Sequence, residues 1–116
     1  EARVLVRYSA TGEAAVAAKV TGASTSVYSG VLQLPSGLLR DLAREAGVHI
    51  YCDTDDVIAA GGGFVSIAAS SDGLKTLTLP AECSLVDIVS GEKLGPARSF
   101  EMEMRKGDTR IFRMEN

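Results

Sequence analysis

The stretch Phe100-Glu101-Met102-Glu103-Met104 alternates apolar and acidic residues without a fault. Successive side chains of a strand point to opposite faces, so this period fits a strand with one face buried and the other in water. Similar short runs recur along the chain. Arg3 to Tyr8 places Val4, Val6 and Tyr8 on one face, and Leu74 to Leu79 alternates until Pro80 closes it. Glu13 to Val20, Ser24 to Ser29, Val57 to Ala60, Phe64 to Ala69, Ser84 to Val89 and Thr109 to Met114 are further strand candidates. Turn clusters separate them: Ser9 to Gly12, Thr21 to Ala23, Gly61 to Gly63, Ser70 to Gly73, Ser90 to Glu92, and Lys106 to Asp108, the last read as a hairpin turn. Short strands at close spacing with such punctuation predict an antiparallel sandwich.

The period changes once. Leu38, Leu39, Leu42, Ala43 and Ala46 fall on one stripe of a helix, with Arg40, Asp41, Arg44 and Glu45 off it. Pro35 suits a first helical turn, where its missing N–H costs nothing. Gly47 is placed to end the helix in a left-handed conformation. Val48 to Cys52 reads as the start of the next strand, and Asp53 to Asp56 as the turn out of it. The expected architecture is α+β, mainly β: a small antiparallel β-sandwich with one helix, about residues 35–46, packed on it. Residues 1–116 read as a single domain or fragment, with a hairpin, strand and helix over 1–47 and a β-rich half over 48–116. Whether the first ~34 residues pair within this domain or with a neighbouring one is left open by the pattern.

Composition narrows the partners. A net charge of −3 speaks against nucleic acid or an anionic membrane, both of which require clustered Lys and Arg. The apolar runs are far shorter than the ~20 residues of a membrane helix. The chain opens at Glu1 with neither a methionine nor a signal-like apolar run, which reads as a trimmed start or a piece of something longer. Cys52 and Cys83 make no disulfide framework and read as two small buried thiols, with a single bridge between them as the alternative.

Residues 47–56 hold the only histidine, one cysteine and Asp53, Asp55 and Asp56. Three close carboxylates suggest a calcium loop, because hard cations take several carboxylate oxygens. The run lacks the Gly and distal Glu of the twelve-residue calcium pattern, and fits better a turn whose aspartates bond their own backbone. A glycosidase acid/base pair would need two carboxylates roughly 5–10 Å apart; Asp53 with Asp72 or Asp87 is such a candidate. His49 lies between Val48 and Ile50 and reads as a packed, hydrogen-bonded residue rather than a base. Cys52 lacks the neighbours of an activated nucleophile. With one histidine and no C-x-x-C pair, zinc is not expected. Gly61-Gly62-Gly63 has no following helix and no Gly-Lys-Ser/Thr, so it reads as a hairpin turn and not a phosphate loop. Tyr8, Tyr28 and Tyr51 offer the makings of a sugar-stacking platform, but the chain has no Trp. No catalytic, cofactor or metal residue is assigned.

The run Leu34-Pro35-Ser36-Gly37-Leu38-Leu39-Arg40-Asp41-Leu42-Ala43-Arg44-Glu45-Ala46-Gly47-Val48-His49-Ile50-Tyr51 resembles the end of the accessory region in β-galactosidase-like glycoside hydrolases. Arg7 to Val16 is similar to the strand that closes the amidotransferase-like, trimerising domain of those enzymes. Lys75 to Pro80, Val86 to Glu92 and Lys106 to Phe112 are similar to their small C-terminal β domain. The resemblance implies a non-catalytic accessory domain without a cofactor, since the family's catalytic glutamates belong to a barrel that these residues do not include. It implies as partner the rest of a parent polypeptide or a sister subunit. The alternative expectation is a carbohydrate-binding module.

Overall fold

A computed structural model describes residues 2–116. The fold is mainly β, with two antiparallel sheets and a single α-helix. The chain divides into two compact units, one ending at Pro35 and the other running from Ser36 to Asn116. The helix thus falls in the second unit, and the first holds only the first three strands. No helix among the described residues is long and apolar enough to cross a membrane.

The first unit is a three-stranded meander of β1 (Ala2–Arg7), β2 (Ala14–Thr21) and β3 (Ser24–Ser29) in spatial order. Its register sets Ala18 opposite Val27 and Ala17 opposite Tyr28. A register shift between Val4 and Val6 marks an irregularity in β1. Among its described residues only Ala15, Val16 and Ala18 are buried. Val4, Val6, Val20, Val27 and Tyr28 remain exposed, Tyr28 to 76%.

The second unit opens with α1 (Ser36–Glu45). Its end follows the expected glycine cap. Gly47 has a φ of +84°, Val48 N–H donates to Ala43 O at 2.9 Å and Gly47 N–H to Arg44 O at 3.0 Å. These bonds satisfy carbonyls that the helix end would otherwise leave unpaired. No residue of α1 is fully buried; Leu38, Leu42 and Ala43 are half-buried, whereas Leu39 and Ala46 of the expected stripe are exposed.

Five strands follow: β4 (Val57–Gly61), β5 (Phe64–Ala68), β6 (Gly73–Asp87), β7 (Lys93–Met104) and β8 (Thr109–Glu115). Their order in the sheet is β4-β5-β8-β6-β7. Gly62 and Gly63, with φ of +58° and +85°, make the two-residue turn that joins β4 to β5; two successive positive φ angles are what such a turn demands. The core consists of side chains in phase along these strands: Val65 and Ile67, Leu77 and Leu79, Leu85, Met102 and Met104, and Phe112. The alternation of Phe100 to Met104 appears as expected, with the methionines buried and the glutamates exposed.

Three expectations are corrected. Val48 to Cys52 is irregular rather than a strand, because it meets β6 through single contacts, such as Thr78 N–H to Tyr51 O at 2.8 Å, and forms no ladder. Pro80 does not end a strand; β6 runs through it to Asp87. The β6–β7 register passes from Thr78↔Ser99 to Cys83↔Ala97, so Pro80 sits in an unpaired stretch where a missing N–H breaks no ladder bond. Residues 106–108 do not join a hairpin. The strand β8 lies between β5 and β6 and does not pair with β7. The turn is bonded instead to the loop after β5: Gly107 N–H donates to Ala69 O, Ala69 N–H to Asp108 O and Lys106 N–H to the Asp72 carboxylate.

Candidate functional site

The residues singled out between 49 and 56 come together beside α1 and the first half of β6. Each aspartate has its own cation. Asp53 receives Arg44 at 2.6 Å, Asp55 receives Arg40 at 3.0 Å, and Asp56 receives Lys75 at 3.1 Å. Arg40 also donates to Thr54 O, and Asp41 bonds Arg44 within the helix. The carboxylates therefore turn towards three different cations and not towards a common centre. Among the described residues no group of three or more His, Cys, Asp or Glu side chains is placed to hold a metal ion.

The innermost pair is the most informative. The Lys75 side chain is 3% exposed and that of Asp56 0%. Lys75 shares the strand parity of Leu77 and Leu79, so β6 carries its stem into the core. A charge taken out of water requires a partner and further hydrogen bonds. Asp56 also accepts from the Thr54 hydroxyl and from Ser70 N–H at 2.9 Å, and Lys75 donates to the Ser71 hydroxyl at 3.0 Å. Burial alone would raise the Asp56 pKa, but the bonds from Thr54, Ser70 and Lys75 outweigh it and hold it at about 2. The Asp55 pKa is also lowered, first by the hydrogen bond from the Ser36 hydroxyl and then by Arg40.

Cys52 belongs to the same network. Its Sγ lies 2.9 Å from the Thr54 hydroxyl. Since Thr54 donates to Asp56, the thiol is the donor in the Cys52 contact. Cys52 and Cys83 are both free and buried. His49 Nε2 donates to Thr78 O at 2.8 Å, and its ring meets Tyr51 edge-on at 4.6 Å. The histidine thus ties the loop to β6. Together these contacts form a latch that holds the 49–56 segment against α1, β6 and the 70–71 turn.

The other candidate carboxylates hold turns. Asp72 accepts Lys106 N–H at 2.7 Å. Asp87 accepts the N–H groups of Val89 and Ser90 and takes Arg110 in a two-pronged contact at 3.1 Å. Its pKa is lowered, chiefly by those two backbone bonds. Arg110 also lies over the Phe112 ring at 4.8 Å. Tyr8 donates to Gly30 O, while Tyr51 borders a groove of about 300 Å³ lined also by Asp53, Thr54, Leu74, Thr76 and Thr78.

Sequence reasoning assembled the aspartates and missed their counter-charges. Lys75 carried a readable signal: it is the one charge in phase with Leu77 and Leu79 on an alternating strand. Arg40 and Arg44 lie one helical turn apart, off the apolar stripe, and so share a face. Compared with protein-family models, with curated proteins and with solved structures, the chain matches none.

Proposed function

We propose that this chain is a non-catalytic accessory region of a β-galactosidase-like glycoside hydrolase, with the task of packing against the rest of its polypeptide or a sister subunit. The observation that carries the reading is the first unit. A three-stranded sheet that buries two alanines and one valine, while leaving Val4, Val6, Val20, Val27 and Tyr28 in contact with water, is far below what an independent sheet needs. Val6, Val20 and Val27 share the face of Val16 and Ala18, and Val4 and Tyr28 the opposite one; apolar surface left on both sides of so thin a sheet favours cover by another part of the protein. The carboxylate cluster supports the same reading from the other side. Its members are each ion-paired, with Arg44, Arg40 and Lys75, and His49 Nε2 bonds a backbone carbonyl, contacts that favour a structural role for the loop.

The reading frame that encodes the chain tests this directly. It should continue upstream of Glu1 into a glycoside-hydrolase barrel; a frame that encodes these residues alone would overturn the proposal. The 116-residue chain should show no turnover of aryl glycosides. Robust turnover that disappears in Asp53→Asn would contradict it. The second reading, a carbohydrate-binding module, draws on the groove beside Tyr51, where one aromatic ring and the hydroxyls of Thr54, Thr76 and Thr78 line a space of about 300 Å³. Calorimetric titration with oligosaccharides decides between the two: heat that is lost in Tyr51→Ala favours the module, and its absence favours the accessory region.

A further inference from the structure

The two edges of the five-stranded sheet are built differently. The strand β7 carries Lys93, Pro96, Arg98, Glu101 and Glu103, the charges and proline that keep a sheet edge from pairing with another chain. The strand β4, at the other edge, is Val57-Ile58-Ala59-Ala60-Gly61, and no charged residue occurs from Val57 through Ala69. Val57 is 67% exposed and Phe64, beside Gly61 in the register, 43%. The edge is therefore open, apolar and unguarded.

We propose that β4 pairs with β4 of a second copy of this chain, antiparallel and about a two-fold axis at Ala59, continuing the sheet across the interface. A two-fold contact requires a patch that complements itself. β4 does so. Centred on Ala59, the pairing sets Ala59 against its own copy and Val57 against Gly61 of the second copy. Ile58 meets Ala60, so each large side chain faces a small one, and no charge meets its like. The pairing with β5 places Val57, Ala59 and Gly61 on the face away from buried Val65 and Ile67, so this contact does not disturb the core. The unpaired backbone groups of β4 supply the hydrogen bonds, as in any strand addition. Five residues a side bury less than the ~1,600 Å² of a standard interface, so the association is weak and depends on concentration.

The inference rests on this edge alone, so its failure would leave the accessory reading standing. Sedimentation of the 116-residue chain from micromolar to millimolar concentration tests it. The average mass should climb from one copy towards two. Ala59→Lys and Ala59→Asp should each hold the chain at one copy, because like charges directly opposite repel. An equimolar mixture of the two variants should associate at least about tenfold more tightly than either alone, and lose that gain in high salt. Unchanged melting of both variants shows that the fold is kept, as expected for an exposed alanine. A wild-type chain that stays single, variants that associate like the wild type, or a mixture that fails to associate would each overturn the proposal.

Discussion

Six side chains of the second unit, Val65, Ile67, Leu77, Leu79, Leu85 and Phe112, are wholly withdrawn from water, whereas the first unit withdraws Val16 almost completely and otherwise buries only Ala15 and Ala18. Both units carry an antiparallel sheet. What separates them is the supply of large apolar residues in phase. Each fully buried Leu, Ile or Phe contributes about 1.5–3 kcal/mol, and an alanine much less. The second unit adds a polar latch around Lys75 and Asp56, while in the first the Tyr8 hydroxyl, 22 positions away, ties back to Gly30 O. The same strand architecture thus encloses a core of large side chains in one case and leaves most of its large apolar side chains exposed in the other.

Substitutions can break this contrast or sharpen it. The largest effect is expected from Phe112→Ala, which should cost the second unit about 4 kcal/mol in a denaturant titration, as for other buried aromatics. Val6→Ala in the first unit should leave the same titration almost unmoved, since Val6 is already exposed. Next comes Lys75→Ala, which strands the Asp56 carboxylate in the interior and should cost about 3 kcal/mol.

Acid probes the same latch without mutation. Asp56 has a folded-state pKa of about 2 against an ordinary 3.8. A depressed carboxylate pKa contributes stability that is fully present above the unfolded value and lost as pH falls through the folded one. The second unit should therefore lose roughly 2 kcal/mol between about pH 4 and pH 2, and Asp56→Asn should flatten that slope. A smaller effect, about 1 kcal/mol, is expected for Gly47→Ala, where a β-carbon meets a φ of +84°. Smallest of all is Arg44→Ala. Its contacts with Asp41 and Asp53 are solvent-exposed, so the melting midpoint should stay nearly unchanged.

Local features were legible in the residues because local physics decides them. The boundaries of β3, the helix cap at Gly47 and the Gly62–Gly63 turn follow from period and from backbone geometry. Long-range placement was not legible. Nothing in Thr109 to Glu115 says that the strand lies between β5 and β6 and not beside β7, its neighbour in sequence. Pro80 misleads for a related reason: its tolerance depends on a register shift that involves a second strand. At the candidate site, the carboxylates were evident from residue type, but their roles depended on Arg40, Arg44 and Lys75, which lie 9 to 19 positions away from their partners. Parity along β6 was an overlooked sign, since a lysine in phase with core leucines must find an acid.

Amide hydrogen exchange on the isolated chain tests the central claim, that the first unit lacks a sufficient core of its own. Amides of β5, β6 and β8 should exchange only through global opening of the second unit, and those of β1, β2 and β3 at least roughly a hundredfold faster. Equal protection across both sheets would contradict the account, because it would show the first unit to be as firmly held as the second.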